Sequence, residues 1–225
     1  GHRSLIERLV EEADRRDARP AVLTFDSHPD ALISGEAPPL LVDPAERVRL
    51  LEEAGVEVVV VLHFDAALRA TPYERFVERI RARTPLAGFL MTPDAAFGRD
   101  RAGTPDALAS LGRRDGFDVV VAAPLRLDGD KVSSSAIRAL IAAGDLAAAE
   151  RLLGRPYEVA GTADGHAVTF PLPVALPPSG VLDALVDGVV MSVTVDRERG
   201  RITLPERRAG GRVRIRLSGP MRALE

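Results

Sequence analysis

Short runs of branched apolar residues alternate with longer amphipathic segments over residues 1–157, and this alternation constrains the fold most strongly. Residues 56–62 are almost entirely apolar, and residues 21–25, 86–91 and 118–122 repeat the pattern. Strands that are apolar on both faces are typical of a parallel sheet covered by helices on two sides. Because crossover connections between parallel strands are right-handed, such a sheet is doubly wound. We therefore predict an α/β fold built on a doubly wound parallel sheet.

Helix signals fill the intervals between these runs. Residues 4–15 carry apolar side chains at helical spacing. Residues 43–46 read Asp-Pro-Ala-Glu, in which the aspartate caps a helix, the proline takes its first position and the glutamate completes a capping box. The same signals recur at residues 71–74, and Thr104 followed by proline opens a further helix. The predicted strands are thus separated by helices.

The pattern changes after residue 157. Four prolines crowd residues 171–178, and short alternating runs follow at 189–195, 201–204 and 213–217. Apolar residues at every second position are typical of antiparallel strands with one buried face. We predict two domains, an α/β domain at residues 1–157 and a small antiparallel β-barrel-like domain at residues 158–225.

Composition excludes several classes of function. A formal net charge of -3 over 225 residues gives no electrostatic case for a nucleic-acid partner. There are no cysteines and only four widely spaced histidines, so we predict no dedicated metal site. No apolar run approaches the roughly 20 residues of a membrane span, and no signal segment opens the chain. We expect a cytoplasmic protein without a membrane partner, and nothing in the sequence specifies an oligomeric state.

The strongest local motif lies at residues 131–138, Lys-Val-Ser-Ser-Ser-Ala-Ile-Arg. Ser133, Ser134 and Ser135 stand where a helix begins, and Arg138 follows one turn later. The free N–H groups and positive dipole of a helix start favour phosphate, and an arginine adds charge-assisted hydrogen bonds. A serine N-cap followed by a solvent-exposed arginine would give the same spacing. Spacing alone leaves both interpretations open.

Polar and aromatic residues also follow two of the predicted strands. His28 follows residues 21–25, while Asp94 and Phe97 follow residues 86–91. Open α/β sheets bind ligands at the carboxyl ends of their strands, so these residues are candidates for a binding site. The alternatives are an ordinary loop histidine at position 28 and a hydrophobic loop anchor at position 97.

Two further histidines carry less information. His2 stands at the start of the first helix, from which a histidine can reach a phosphate, but a terminal residue without function fits equally well. His63, with Asp65 close behind it, follows the strand at residues 56–62, and the sequence assigns these two residues no role.

Together these segments resemble the adenylyltransferase module of bacterial bifunctional riboflavin kinase/FAD synthetases. The matching segments are Gly1-His2, residues 24–29 (Thr-Phe-Asp-Ser-His-Pro), Phe97-Gly98 with Gly103, residues 132–138 and residues 152–157 (Leu-Leu-Gly-Arg-Pro-Tyr). The resemblance covers nearly all of residues 1–157, and its most specific part runs from the serine motif to Tyr157. It implies a Rossmann-like nucleotidyltransferase fold.

The resemblance also implies a reaction, in which the enzyme joins the adenylyl group of ATP to FMN and releases FAD and pyrophosphate. The substrates would be ATP and FMN, with Mg²⁺ bound to the ATP. It implies catalytic roles for His2 and Arg138. Binding roles for nucleotide or flavin are implied for Ser133, Ser134, Ser135, His28, Asp94 and Phe97.

Some positions depart from the family pattern. The family's opening strand and its Gly-x-Phe-Asp-Gly-Val-His run do not precede Gly1, so we expect the N-terminal strand of the domain to be missing. Ala95 and Ala96 replace an aromatic and a basic residue, and Thr92 stands where a glycine is typical. The positions that would face the flavin, Leu40, Val42 and Asp43 among them, are therefore less polar or different in charge.

The second half departs further. Residues 170–176 read Phe-Pro-Leu-Pro-Val-Ala-Leu where the riboflavin kinase half has Phe-Pro-Thr-Ala-Asn-Leu, so the threonine and asparagine that would hold Mg²⁺ and phosphate are absent. We predict a degenerate kinase-like domain without kinase activity. Two alternatives to FAD synthesis remain: an inactive relative that binds flavin or nucleotide, and a nucleotidyltransferase with another small phosphate acceptor.

Overall fold

The computed structural model describes residues 2–123, 126–127, 130–218 and 222, without the side chains of residues 2, 126, 130 and 131. Contacts within the chain define two compact units. The first, the α/β unit, comprises His2–Ala37 and Val48–Leu125, and the second, the barrel unit, comprises Pro38–Arg47 and Arg126–Glu225.

The α/β unit is assembled from short helices and strands. Its helices are α1 (His2–Asp14), α2 (Pro29–Ile33), most of α3 (Pro44–Glu53), α4 (Ala66–Arg69), α5 (Tyr73–Arg81) and α6 (Pro105–Asp115), with a 3₁₀ turn at Arg99–Arg101. Its strands are β1 (Ala21–Phe25), β2 (Val58–Leu62), β3 (Gly88–Met91) and β4 (Asp118–Val121).

All four strands pair in parallel. β1 pairs with β2 from Ala21 opposite Val58 to Phe25 opposite Leu62. β3 pairs with β4 from Gly88 opposite Asp118 to Met91 opposite Val121. Parallel strands alternating with helices confirm the predicted α/β class.

The burial of these strands differs from the prediction. Leu23, Val61 and Val121 are 40%, 48% and 49% exposed, so the expectation that both strand faces are covered is wrong at these positions. Among the described residues, β1 to β4 form two separate two-stranded pairs. Each strand is therefore an edge strand, and an edge leaves side chains more accessible than the centre of a wide sheet does.

Helix starts follow the sequence signals with one exception. Asp43 Oδ1 accepts the N–H groups of Ala45 and Glu46, and Thr104 Oγ1 accepts that of Ala107, so both predicted N-caps are confirmed. The predicted cap at Thr71 is wrong. Its hydroxyl donates to the Ala67 carbonyl 2.8 Å away, in the last turn of α4.

The barrel unit holds two helices and six strands within its described residues. These are α7 (Ser134–Ala143), α8 (Leu146–Leu153), β5 (Arg126–Leu127), β6 (Asp130–Lys131), β7 (Glu158–Thr169), β8 (Gly180–Val186), β9 (Val189–Asp196) and β10 (Arg201–Leu217).

The long strand β10 closes the sheet on itself. It pairs with β7 along most of its length, with β9 at residues 201–203 and with β8 at residues 215–217. Since β8 also pairs with β9, the strands β8, β9 and β10 close on one another, and β7 pairs with β10 at the edge of the sheet. All pairings are antiparallel, which confirms the predicted small barrel-like domain.

The barrel core includes side chains from the two preceding helices. Ile137 and Ile141 of α7 and Leu146 and Ala149 of α8 belong to the same buried cluster as the inward-facing residues of β7 to β10. A boundary after residue 157 therefore falls inside one compact unit. As a boundary between functional modules it stays a prediction.

Tyr157 provides a test of this core. Its ring is fully buried, its hydroxyl donates to the Ala175 carbonyl 2.5 Å away, and burial raises the pKa of the hydroxyl. We expect Tyr157→Phe to lower the free energy of unfolding by about 1–3 kcal/mol, because a buried carbonyl loses its donor. Chemical denaturation followed by circular dichroism measures this change. Tyr73→Phe is the control, since Tyr73 is only half-buried, and an equal loss in both variants would contradict the prediction.

Candidate functional site

The start of α7 is built as a serine-capped helix N-terminus. Ser133 is the N-cap, and its Oγ accepts the N–H of Ala136 at 3.2 Å. Ser134 and Ser135 are the first two residues of the helix, where N–H groups have no acceptor within the helix. The first turn contains no acidic residue that would compete for these donors. This end of α7 can therefore bind an anion.

Arg138 lies one turn further along α7 and is half-buried. Its Nε donates to the carbonyl oxygen of Pro39 at 2.8 Å. A guanidinium has five N–H donors, so this bond uses one of them and fixes the plane of the group. The bond lies at an exposed position, so a role for Arg138 in binding phosphate stays a prediction.

His28 caps a short helix. Its Nδ1 accepts the backbone N–H of Asp30 at 3.2 Å, at the start of α2. Nδ1 therefore acts as the acceptor, which leaves Nε2 as the donor of the neutral ring. Asp26 and Ser27 separate His28 from β1, so the residue lies just beyond the carboxyl end of a parallel strand.

The loop after β3 holds Asp94 in place. Thr92 Oγ1 donates to Asp94 Oδ1 at 2.9 Å, and Arg101 donates to the Asp94 carbonyl at 3.2 Å. The threonine that departs from the family pattern thus orients the carboxylate two residues later.

Phe97 packs inside the α/β unit. Its ring centroid lies 5.4 Å from that of Phe76 and 6.0 Å from that of Phe89. The next residue, Gly98, has a φ of 74°, and a Cβ there would lie 2.7 Å from the backbone nitrogen of Tyr73. The loop therefore needs glycine, and the ring serves as its hydrophobic anchor. A flavin contact by Phe97 stays a prediction.

Sequence reasoning missed a pair formed by His63 and Asp26. His63 Nδ1 lies 2.7 Å from Asp26 Oδ2. The hydrogen bond from His63 lowers the pKa of the Asp26 carboxyl, and the same bond raises the pKa of His63. A signal was available, because each residue directly follows one of two adjacent parallel strands, β1 and β2.

The predicted site residues fall into two groups. The α/β unit holds His28, Asp94 and Phe97, and the barrel unit holds Ser133, Ser134, Ser135 and Arg138. The backbone of His2 begins α1, but its side chain lies outside the described part of the structure.

Two kinds of feature are absent from the described residues. No three histidine, aspartate or glutamate side chains gather there as a set of metal ligands. None of the helices in that part of the chain is both long enough and apolar enough to cross a membrane.

The His63–Asp26 pair predicts a pH dependence. The raised pKa of His63 means that its contribution to stability is complete below its ordinary value of 6.5 and is lost as the pH rises through the folded value. The lowered pKa of Asp26 means that its contribution is complete above 3.8 and is lost as the pH falls through the folded value. The pair therefore stabilises the fold most between pH 3.8 and 6.5.

Asp26→Asn should lower the pKa of His63 towards 6.5, because the imidazolium loses its charged partner. NMR titration of the imidazole signals measures the change. Asp65→Asn is the matched control, since Asp65 is the smallest contributor to the His63 shift and asparagine preserves its cap on α4. An unaltered His63 titration in Asp26→Asn would rule out the pair in solution.

Comparisons with known proteins agree on the family. Residues 1–136 match the family model described as FAD synthetase. A bifunctional riboflavin kinase/FMN adenylyltransferase of Pseudomonas fluorescens is 35% identical over 162 residues, which are 72% of this chain and 52% of the relative. The protein with the same description from Haemophilus influenzae is 34% identical over 163 residues, 72% of this chain and 53% of the relative. The chain thus spans about half the length of these curated relatives.

A solved structure shows the same fold. The crystal structure described as a macrolide-efflux protein from Streptococcus pneumoniae superposes with a TM-score of 0.75 and 22% identity, over 100% of this chain and 82% of that one. The resemblance predicted from the sequence is confirmed by the family match, which covers more than half of the chain. The chain belongs to the FAD synthetase family.

Proposed function

We propose that this chain transfers the adenylyl group of ATP to FMN, giving FAD and pyrophosphate. The observation that carries the proposal is the match of residues 1–136 to the FAD synthetase family. The relatives that share 32–35% identity with the chain are described as having both riboflavin kinase and FMN adenylyltransferase activities. Only the second activity is proposed here.

The start of α7 is the proposed binding site for the ATP phosphates. Ser133 Oγ satisfies one N–H of the first turn, which leaves the N–H groups of Ser134 and Ser135 and the adjacent hydroxyls for phosphate oxygens. Arg138 adds positive charge one turn away. Its bond to Pro39 holds the guanidinium in one orientation before any ligand binds, which favours catalysis by positioning.

In the proposed reaction an oxygen of the FMN phosphate attacks the α-phosphorus of ATP. A new P–O bond forms as the bond to the bridging oxygen of pyrophosphate breaks, so no covalent enzyme intermediate is needed. His2 is the proposed second catalytic residue, which would stabilise charge on the phosphates.

Mg²⁺ is proposed to enter with ATP. Mg²⁺ at a nucleotide site takes most of its ligands from phosphate and water. When bound, it would neutralise charge on the triphosphate. The protein groups named above would bind and orient the phosphates around it.

His28 and Asp94 are the proposed contacts of the acceptor. His28 presents Nε2 as a donor, which suits the phosphate of FMN. Asp94, held by Thr92, presents a carboxylate that suits a hydrogen-bond donor of the flavin or the nucleotide.

We also propose that the barrel unit has no riboflavin kinase activity. Residues 170–176 carry no hydroxyl, carboxylate or amide side chain. Their backbone is already engaged, because the Pro173 carbonyl accepts the N–H of Leu40 and the Ala175 carbonyl accepts the hydroxyl of Tyr157. A metal–phosphate site would need the oxygen ligands that this segment lacks.

One observation favours a different acceptor as the second candidate function. The Phe97 ring packs against Phe76 and Phe89, and Ala95 and Ala96 precede it, so residues 95–97 offer a flavin no polar side chain and only a ring that already contacts two others. A nucleotidyltransferase acting on another small phosphate would still use the start of α7.

One assay separates these possibilities. The full-length protein is incubated with Mg-ATP and FMN, and in parallel with Mg-ATP and riboflavin, while FAD, FMN and pyrophosphate are followed by chromatography. We expect FMN to give FAD and pyrophosphate in equal amounts, and riboflavin to give no FMN. ATP binding without turnover would instead indicate an inactive relative, and FMN formed from riboflavin would contradict the loss of kinase activity.

Arg138→Ala should lower kcat/KM for ATP roughly a hundredfold, or about 3 kcal/mol of transition-state stabilisation, because a charged donor to phosphate is lost. Arg138→Lys should recover only part of this loss, since an ammonium lacks the planar set of donors. Steady-state kinetics measure both. The matched control is Arg151→Ala, which removes an exposed arginine from α8. If Arg151→Ala lowers kcat/KM as much as Arg138→Ala does, Arg138 has no specific role.

A further inference from the structure

Residues 38–46, which we name the strap, are fastened to the barrel by backbone hydrogen bonds. Leu40 N–H donates to the Pro173 carbonyl at 2.8 Å, and Ala175 N–H donates to the Leu40 carbonyl at 2.9 Å. Leu40 thereby forms a parallel β-bridge with Val174. The leucine side chain is buried, so the strap is anchored by packing as well as by hydrogen bonds.

Two ion pairs fasten the other end of the strap. One terminal nitrogen of Arg212 lies 2.9 Å and 2.8 Å from the two carboxylate oxygens of Asp43. Arg214 Nε lies 3.2 Å from Glu46 Oε2. The side chains of Asp43 and Glu46 are only 12% and 6% exposed. Burying a carboxylate this deeply without a cationic partner is unfavourable in free energy. Loss of either arginine should therefore destabilise the strap.

The strand that carries both arginines is rigidly placed. Val213 and Ile215 of β10 point into the barrel core, so Arg212 and Arg214 point outwards on the opposite face. Arg214 and Arg212 also pair with Ala160 and Thr162 of β7. The barrel therefore presents the two cations at fixed positions.

The strap reaches the proposed ATP site at Pro39. The Pro39 carbonyl accepts from Arg138 Nε at 2.8 Å, one residue before the β-bridge at Leu40. A displacement of the strap would therefore remove the acceptor that orients the guanidinium of Arg138.

We propose that Arg212 and Arg214 are positioning residues for adenylyl transfer, acting through the strap on Arg138. The catalytic part of this inference rests on the proposed function, because it requires Arg138 to bind phosphate. The barrel then has a structural role that requires no kinase activity, because it holds Arg138 in the orientation that binds phosphate.

Hydrogen exchange tests the mechanical part without any substrate. In the free full-length protein, Arg212→Ala should speed exchange of the Leu40 and Ala175 amide protons at least tenfold, whereas Arg212→Lys should leave it nearly unchanged. The lysine can substitute because a single nitrogen of Arg212 contacts both Asp43 oxygens. Arg199→Ala is the matched control, since Arg199 pairs with Asp196 in the turn between β9 and β10. Unchanged exchange in both Arg212→Ala and Arg214→Ala would overturn the inference.

A double-mutant cycle tests the catalytic part. Arg212→Ala should raise KM for ATP about tenfold, because a small misplacement of a binding group weakens its contact with the ligand. Arg212→Lys should keep KM close to the wild-type value. In an Arg138→Ala background the same substitution should have almost no further effect, since its route to the site is already lost. Fully additive losses would overturn a route through Arg138.

The two proposals can fail separately. If Arg138→Ala keeps wild-type kinetics, Arg138 does not bind phosphate, and the positioning role of Arg212 and Arg214 in catalysis fails as well. The exchange data still decide whether these two arginines hold the strap. If Arg138→Ala is impaired but Arg212→Ala and Arg214→Ala keep wild-type KM, the proposed function stands and the inference is overturned. Thermal unfolding of each variant identifies any loss of kinetics that comes from global unfolding.

Discussion

The alternation of side chains along β10 is the constraint on which the barrel unit depends. This strand pairs with β7, β8 and β9, and Val213, Ile215 and Leu217 fill the core. A slip of one residue would bury arginines in place of these side chains, so the hydrophobic pattern fixes the register strongly. The same register places Arg212 and Arg214 beside Asp43 and Glu46. Core packing and the ion pairs of the strap are thus consequences of one arrangement.

This arrangement also gives residues 170–176 a structural use. Residues 170–176 carry no hydroxyl, carboxylate or amide side chain, and their backbone joins Leu40 to the barrel and accepts the hydroxyl of Tyr157. Apolar side chains suit that use, since Ala175 and Leu176 are buried. Packing and backbone pairing are therefore enough to account for the apolar composition of this segment.

Local signals in the sequence predicted local structure well. The strand at residues 21–25 and the helix starts at Pro44 and Pro105 follow from apolar runs and capping residues that act within one turn. Contacts between distant residues left no such signal. Asp43 and Arg212 are 169 positions apart, and their pairing depends on the barrel register rather than on neighbours in sequence. The exposure of Val61 was missed for a similar reason, because burial depends on how many strands lie beside it.

The serine motif at α7 shows why the sequence could not choose between a helix cap and a phosphate site. Both interpretations require a hydroxyl residue before the helix, and the structure satisfies the first with Ser133 alone. The cap uses one N–H of the first turn, so it leaves the N–H groups of Ser134 and Ser135 for a ligand. It also fixes the helix end against which Arg138 is oriented by a backbone carbonyl. Groups that are already ordered lose little entropy when an anion binds, so the cap is compatible with the proposed phosphate site and favours it.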